Sequence, residues 1–358
     1  MRHFFLAIAI ALTCTSAMAQ NAYVPNNGSD NVSVINTATN TVTATVAVGS
    51  APFGVSVSPD ASRVYVANSG SNNISVINAA TNTVIATVLV GLEPRGVAVS
   101  RDGLKAYVAN YNGGNISVIS TATNTVTATV AVGNRPQGVA VSPDGLRVYV
   151  ANTGSDSVSV INTATNTVTG TVAVGVYPIG LSVSPDGSKV YVVDYSSNSV
   201  SVIDTATNSL TATVPLTAGA YPVELSVNPS GSIAYVANSG SSSVSVINTA
   251  TNTVTATVAV GSAPFGVSVS PDGLKAYVLN SGSNNVSVID TATNTVTGLV
   301  AVGTTPASLG NFIGSVPPPS PPPPVPTLSQ WAMLLLGLIL AGGAAVMIDR
   351  QRGPNPLM

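Results

Sequence analysis

The pentapeptide Val64-Tyr65-Val66-Ala67-Asn68 returns in nearly the same form along most of this 358-residue chain. Its core, Tyr-Val-x-Asn or Tyr-Val-x-Asp, begins at seven positions: Tyr23, Tyr65, Tyr107, Tyr149, Tyr191, Tyr235 and Tyr277. Successive tyrosines are 42 residues apart, except for one interval of 44 between Tyr191 and Tyr235. Self-similarity at a fixed period of this size is typical of repeat architectures, in which each unit packs on its neighbours.

One repeat unit, residues 52–91, divides into four short segments of alternating residues, separated by Pro, Asp, Asn and Gly. The segments are Gly54–Ser58, Val64–Ala67, Ile74–Ile77 and Val84–Val90. Alternation with period two between turn residues predicts antiparallel strands. The β-branched residues Val, Ile and Thr, which dominate the segments, favour strands over helices. Four strands in a unit of about 40–45 residues is the pattern of a β-propeller blade.

The two ends of the repeat region complement each other. The chain enters on a second strand, Ala22-Tyr23-Val24, without a first strand for that unit. The last first-strand signature, Pro306–Ile313, has no unit after it, so we expect it to supply the missing inner strand. The predicted fold is therefore all-β, a seven-bladed propeller of four-stranded antiparallel blades closed by a shared first and last blade. A linear solenoid is the alternative.

The Tyr-Val-Ala-Asn and Ser-Pro-Asp-Gly units resemble the YVTN family of β-propeller repeats, which occurs in secreted and surface-layer proteins. The resemblance covers residues 22–313. It implies the propeller fold but no particular activity, because propellers host many unrelated functions.

Residues 1–19 have the layout of a secretory signal peptide. A basic start precedes the apolar run Phe4–Leu12, and Ala17 and Ala19 mark a cleavage site after Ala19. A short membrane anchor is the alternative, but nine apolar residues do not span about 30 Å of hydrocarbon. The single Cys14 and the single His3 both lie in this segment, so the predicted mature chain contains neither residue type.

We place the propeller at residues 20–314. The region after it divides into a proline-rich linker (315–326) and a sorting region (325–352). The proline run predicts an extended polyproline II spacer. The apolar run 332–348 predicts a transmembrane helix, and the arginines that follow it predict a cytoplasmic C-terminus.

This tail resembles the IPTLxxWG C-terminal sorting domain of Gram-negative bacteria. The residues that carry the resemblance are Val325, Pro326, Thr327, Leu328, Ser329 and Trp331. Val325 stands where the family has Ile, and Ala332 where it has Gly. The resemblance implies the secretion machinery and an exosortase-like processing protease as partners. It also implies an inner-membrane intermediate, followed by transfer to the cell surface or extracellular matrix. A single-pass anchor that stays in the membrane is the alternative.

Composition excludes several classes of function. Only 7% of residues are charged, with 11 Lys and Arg against 13 Asp and Glu, so we expect no nucleic acid partner. Without His or Cys in the mature chain, we expect no metal site, no cofactor and no Ser-His-Asp or Cys-His catalysis. A recurring aspartate lies in Pro-Asp turns, or after Arg101 in one copy, where we expect it to bond the local backbone: Asp60, Asp102, Asp144, Asp186 and Asp272.

A candidate ligand or partner site emerges where the near-identical units differ. Loops that join fourth to first strands, and second to third strands, are expected on one rim of the propeller. In these loops the middle blades depart from the repeat, at Glu93, Arg95, Tyr111, Arg135, Gln137, Tyr177, Asp194, Tyr195, Tyr221 and Glu224. Aromatic and charged residues that converge on one face are typical of binding sites. Neutral drift after duplication is the alternative.

These observations favour an exported structural or interaction module that is not an enzyme. The alternatives are an extracytoplasmic enzyme of the lactonase or quinoprotein kind and a periplasmic binding scaffold released by proteolysis.

Three outer strands carry neither charge nor proline: Thr41–Val48, Val126–Val132 and Val254–Val260. Because unprotected edges pair with other chains, we also expect self-association.

Overall fold

A computed structural model describes residues 20–314. These residues contain 27 strands in seven sheets, numbered here as blades 1–7 in chain order. Blade 1 consists of β1 (Asn21–Asn26), β2 (Asn31–Asn36) and β3 (Thr41–Ala47). Blade 2 consists of β4 (Pro52–Val57), β5 (Arg63–Asn68), β6 (Asn73–Asn78) and β7 (Thr83–Leu89). Blade 3 consists of β8 (Pro94–Val99), β9 (Lys105–Asn110), β10 (Asn115–Ser120) and β11 (Thr125–Ala131). Blade 4 consists of β12 (Pro136–Val141), β13 (Arg147–Asn152), β14 (Ser157–Asn162) and β15 (Thr167–Ala173). Blade 5 consists of β16 (Pro178–Val183), β17 (Lys189–Asp194), β18 (Ser199–Asp204) and β19 (Ser209–Pro215). Blade 6 consists of β20 (Pro222–Val227), β21 (Ile233–Asn238), β22 (Ser243–Asn248) and β23 (Thr253–Ala259). Blade 7 consists of β24 (Pro264–Val269), β25 (Lys275–Asn280), β26 (Asn285–Asp290) and β27 (Thr295–Ala301).

The blades share one antiparallel topology. Their strands lie side by side in chain order, so that Tyr65 in β5 pairs with Ser56 in β4 and Val76 in β6. The first strands of neighbouring blades contact one another around a central channel, and the fourth strands form the outer edge. The predicted seven-bladed propeller of four-stranded blades is therefore confirmed.

The C-terminal segment closes the ring on blade 1, as the sequence predicted. Ala22 bridges Ile313 and Asn26 bridges Pro306, both antiparallel to β1. The backbone N–H of Tyr23 donates to the carbonyl of Phe312 at 2.9 Å, and Ala307 donates to Pro25 at 3.0 Å. We call residues 306–313 the clasp. It occupies the inner-strand position that blade 1 lacks and covers an open sheet edge.

The clasp is not a regular strand, however. Ile313 pairs with Ala22 as Val57 pairs with Val64 in blade 2, yet Pro306 to Ile313 is two residues longer than Pro52 to Val57. The extra length bulges out of the sheet at residues 308–311. There Leu309 is buried to 1% exposure and packs with side chains of blades 5 and 6, across the channel.

The hydrophobic core lies between blades. One cluster joins Tyr107 and Ile116 of blade 3 to Val139, Val148 and Ile161 of blade 4, and similar clusters recur around the ring. The repeat therefore buries its apolar faces only when a neighbouring blade is present, which is the physical reason for closure.

The inner strands approach one another so closely that five blades have glycine at one position: Gly54, Gly96, Gly138, Gly180 and Gly266. A Cβ on Gly54 would lie 2.0 Å from the carbonyl oxygen of Arg95, and one on Gly96 would lie 2.2 Å from that of Gln137. Outside this inner ring, basic side chains also link blades. Lys105 Nζ donates to the carbonyl of Thr163 at 2.7 Å, and Lys275 reaches from blade 7 to Thr37 of blade 1.

The two faces of the propeller carry different sets of loops. On one face, here the upper rim, the second-to-third-strand loops bond to the loops that precede each first strand, as Ser69 N–H does to Ala51 at 3.0 Å. This confirms that both loop types share a rim. The described chain both begins and ends on the opposite, lower face, where Gln20 accepts from Thr37 and Gly314 lies beside Ala61.

Residues 20–314 contain no helix that is long and apolar enough to cross a membrane. Four predicted features lie outside the described residues: the signal peptide with Ala17 and Ala19, the linker 315–326, the sorting motif and the helix 332–348.

The outer strands are largely exposed, with Ile85 and Leu299 at 48% and 65%. Self-association through them stays a prediction.

Candidate functional site

The upper rim is built on a ring of seven residues that immediately precede the inner strands. All seven have left-handed backbone conformations, with φ between 47° and 61°: Ala51, Glu93, Arg135, Tyr177, Tyr221, Ala263 and Thr305. Such a conformation is costly for residues other than glycine. Their carbonyls accept backbone N–H groups from the neighbouring loops, as Glu93 does from Tyr111 at 3.0 Å. The fold thus holds these side chains at fixed points around the rim.

Arg95, in β8, is fixed by three neighbours. Its guanidinium forms an ion pair with Glu93 at 2.5 Å and donates to Gln137 Oε1 at 3.1 Å. The guanidinium carbon also lies 3.7 Å from the ring centroid of Tyr111, within cation–π distance. The Arg95–Glu93 contact is the only ion pair within residues 20–314. Arg95 is therefore a positioned part of the rim surface.

Three tyrosines extend this surface along the rim. The rings of Tyr177 and Tyr195 have centroids 5.7 Å apart, and those of Tyr195 and Tyr221 are 5.1 Å apart. Tyr221 is 43% exposed. Burial raises the pKa of the Tyr177 hydroxyl, and the neighbouring Tyr111 hydroxyl raises that pKa further, so these three tyrosines adjoin the surface formed by Arg95 and Tyr111. Arg135, exposed on the rim, lies 5.9 Å from the Tyr111 ring.

We call this continuous surface the aromatic arc, and it comprises Arg95, Tyr111, Arg135, Tyr177, Tyr195 and Tyr221. It spans blades 3–6 only. At the position equivalent to Tyr111 and Tyr195 the other five blades hold small polar residues: Asn27, Ser69, Thr153, Ser239 and Ser281. The upper rim is therefore asymmetric, although the framework beneath it repeats closely.

Two phenylalanines that sequence analysis did not single out contribute to the mouth of the channel. Phe53 of blade 2 and Phe265 of blade 7 meet edge to face, with centroids 5.3 Å apart. Both pack against the cluster that contains Leu309 of the clasp. Sequence analysis did not single them out because residues 50–54 and 262–266 are identical, and only the ring brings the two side chains together.

Four of the ten predicted rim residues, Arg95, Gln137, Asp194 and Glu224, lie in strands, so their placement in loops was wrong, and the last three are also buried. Gln137, Asp194 and Glu224 are 2%, 0% and 3% exposed. Gln137 is in β12 and supports Arg95, while its own Nε2 donates to Thr153 at 2.9 Å. A strand position that is polar in sequence can thus face the protein interior.

Asp194 ends β17 and lies between blades, where the other six motif copies have asparagine. In those copies the Asn Nδ2 donates to a serine, as Asn68 does to Ser75 at 2.9 Å. At Asp194 the direction reverses, and Ser199 and Ser201 donate to the carboxylate at 3.1 and 2.8 Å. Burial raises the pKa of Asp194 to about 6, although these hydroxyls oppose the shift.

Glu224 occupies the inner-strand position at which blade 2 has Gly54 and four other blades also have glycine. It lines a central cavity of about 350 Å³ together with Ser182, Ser226 and Asn311. Its carboxylate accepts from the backbone N–H groups of Leu225 at 3.0 Å and of Gly310 in the clasp at 3.3 Å. Burial raises the pKa of Glu224 to about 8.

The recurring turn aspartates are structural, as predicted. Each accepts a hydrogen bond from the serine two residues before it, as Asp186 does from Ser184. The Ser184 hydroxyl and the Ser188 backbone N–H lower the pKa of Asp186 to about 2. Within residues 20–314 no three Asp, Glu, His or Cys residues cluster in a way that could hold a metal ion.

Comparison with known proteins agrees with this architecture. The model of the YNCE-like β-propeller family matches residues 4–113 and 102–205, which together exceed half of the chain. The chain belongs to the YNCE-like β-propeller family. The predicted resemblance to propeller repeats of the YVTN kind is thereby confirmed. In this YNCE-like propeller, residues 323–353 match the IPTL-CTERM motif, which confirms the second resemblance and implies export.

Solved structures share the fold. A chain of hydrazine synthase from Kuenenia stuttgartiensis is 27% identical with a TM-score of 0.69, covering 75% of this propeller chain and 92% of its own. A functionally unknown protein from Desulfotomaculum acetoxidans is 17% identical with a TM-score of 0.71, covering 81% and 100%. The dihydro-haem d1 dehydrogenase NirN is 20% identical with a TM-score of 0.60, covering 78% and 63%. Among curated proteins no match was found.

Proposed function

We propose that this YNCE-like propeller is an exported, non-enzymatic interaction module that binds a surface or matrix partner through the aromatic arc. The asymmetry of the upper rim carries the proposal. Tyrosine and arginine are the residue types that dominate binding energy in interfaces. Here they form a continuous surface on four adjacent blades, at points of the rim that the fold holds fixed. The solved enzymes with this fold lend it no activity, because one fold hosts many functions.

The C-terminal motif supports the location that we propose. It is a sorting signal and implies export; processing there by an exosortase-like protease, after an inner-membrane intermediate, would release the propeller to the cell surface or matrix. The last described residue, Gly314, lies beside Ala61 on the lower face. The arc is on the opposite face, so attachment through the C-terminal side would leave it accessible.

Truncating the exposed tyrosines tests this function. Tyr195→Ala and Tyr221→Ala should each reduce retention of the purified protein on cells that lack their own copy by about tenfold, equivalent to about 1.4 kcal/mol. The midpoint of thermal unfolding should barely change for Tyr221→Ala, because that side chain is 43% exposed. Retention can be measured by quantitative immunoblot of washed cells.

The matched control is Ser281→Ala, at the equivalent position of blade 7. It should retain full binding, because blade 7 contributes nothing to the arc. Equal retention of all three variants and the unmodified protein would reject the arc as the binding surface.

A further inference from the structure

Two of the seven junctions of the upper rim lack the polar cap that the other five have, and one of these two lies within the aromatic arc. At five junctions an Asp or Asn side chain accepts the backbone N–H of the left-handed residue on the next blade. Asn72 caps Glu93 at 2.7 Å, and Asp156 caps Tyr177 at 2.9 Å. Between blades 3 and 4 the capping position holds Gly114, and the residue to be capped is Arg135. The Arg135 N–H has no acceptor within residues 20–314.

The missing side chain leaves a cleft. The space has a volume of about 540 Å³ and lies between Gly113–Gly114 and Asn134–Arg135, with Tyr111 and Asn112 also lining it. At the capped junctions the N–H points at the capping oxygen. Because Gly114 provides none, the Arg135 N–H faces the place where an outside acceptor would bind.

The charge in this cleft is unbalanced. The Glu93 carboxylate forms an ion pair with the Arg95 guanidinium and accepts a hydrogen bond from the Asn112 amide. The charges of Glu93 and Arg95 therefore cancel. The exposed Arg135 guanidinium has no carboxylate partner within the described residues. A guanidinium and a backbone N–H that converge on one space are suited to a carboxylate, which accepts charge-assisted hydrogen bonds from both.

We propose that this cleft binds the carboxylate of an acidic sugar in a sparsely charged polysaccharide, whose neighbouring rings lie along the aromatic arc. The inference rests on the proposed binding role of the arc and names its ligand class. The amide side chains of Asn134 and Asn112 border the cleft and offer hydrogen bonds to hydroxyl groups.

The other polymer classes fit less well. A nucleic acid would need a basic stripe along its phosphates, whereas the arc has one uncompensated arginine. An acidic peptide is recognised by a cluster of arginines or by addition to a free strand edge. On this rim the loops already bond to one another, as Tyr111 N–H does to Glu93 and Tyr195 N–H to Tyr177.

The chain offers a variant that fills the cleft without straining the fold. Gly114 has φ +61°, in the same region as Asn72 at 53° and Asn198 at 51°. A Cβ at Gly114 meets no atom within 4 Å. Gly114→Asn should therefore fold, cap Arg135 as Asn72 caps Glu93, and occupy the cleft. Ser242→Asn is the matched control, because it introduces the same residue at the uncapped junction before Ala263, outside the cleft.

Calorimetric titration of the full chain with a hyaluronan octasaccharide, which alternates glucuronic acid with a neutral sugar, tests the proposal. We expect binding by the unmodified protein and by Ser242→Asn, and at least tenfold weaker binding by Gly114→Asn and Arg135→Gln. Carboxyl-reduced octasaccharide should bind at least tenfold more weakly to the unmodified protein. Absence of hyaluronan binding, equal binding of both sugars, equal binding by Gly114→Asn, or preference for a glutamate-rich peptide would overturn the proposal.

The two proposals fail separately. If Tyr195→Ala and Tyr221→Ala lose cell retention while Gly114→Asn and Arg135→Gln keep it, the arc binds a partner but the cleft holds no carboxylate. If all four variants keep it, the binding role of the arc fails as well.

Discussion

Phe312→Ala is expected to lower the free energy of unfolding by about 3–5 kcal/mol, the usual cost of truncating a fully buried aromatic side chain. Phe312 is 0% exposed and belongs to a cluster with Tyr23 and Val34 of blade 1 and Tyr277 of blade 7. The residue therefore joins the clasp to both ends of the ring. Its loss should weaken closure itself, and chemical denaturation monitored by circular dichroism measures the change.

Leu299→Ala is the control for this prediction. Leu299 is a large apolar residue in outer strand β27, only 13 positions earlier, but it is 65% exposed. Its truncation should change the free energy of unfolding by less than about 0.5 kcal/mol, as surface substitutions usually do. Similar losses for both variants would show that the clasp contributes no more than an exposed edge.

Stability should decline as pH rises from weakly acidic to alkaline, and Glu224→Gln should remove most of that decline. The pKa of Glu224 is about 8 in the folded protein against an ordinary value of 4.5, because burial disfavours the charged carboxylate. The folded state therefore binds the proton more tightly than the unfolded state. The stabilisation by the protonated group is fully present below pH 4.5 and is lost as pH rises through 8, by about 5 kcal/mol.

Asp194→Asn provides an internal comparison within the same measurement. The pKa of Asp194 is raised to about 6, so its effect is fully present below 3.8 and is lost as pH rises through 6. Restoring the asparagine of the other motif copies should remove only this lower part of the decline. Unfolding free energies between pH 4 and 9 give both profiles. A Glu224→Gln profile that parallels that of the unmodified protein would contradict the assignment.

The repeat explains why so much of the fold could be predicted. Seven copies of one motif, offset by a missing first strand at Ala22 and a spare one at Pro306, fix both the number of blades and the way the ring closes. The bulge of the clasp could not be predicted in the same way. Its two extra residues become visible only when Ile313 is paired with Ala22, and the direction of Leu309 depends on blades 5 and 6 across the channel.

The candidate site was predictable in position but not in orientation. Departures from the repeat located Arg95, Tyr111 and the tyrosine row, because those loops share one rim. The same criterion also selected Asp194 and Glu224, which are buried. Sequence shows that a residue differs from its counterparts, but its exposure depends on the neighbouring blade that packs against it.

A disulfide across the clasp tests ring closure most directly. Ala22 and Ile313 are a pair without direct backbone hydrogen bonds to each other, flanked by the bonds from Tyr23 to Phe312 and from Gly314 to Asn21. Such antiparallel pairs have Cα atoms about 4.5 Å apart, within the range of a disulfide. In a chain with Cys14→Ser, Ala22→Cys and Ile313→Cys should therefore oxidise to a monomer with no free thiol after unfolding without reductant. Two free thiols per unfolded chain after the same oxidation would show that the ends do not meet, and would contradict the closed propeller.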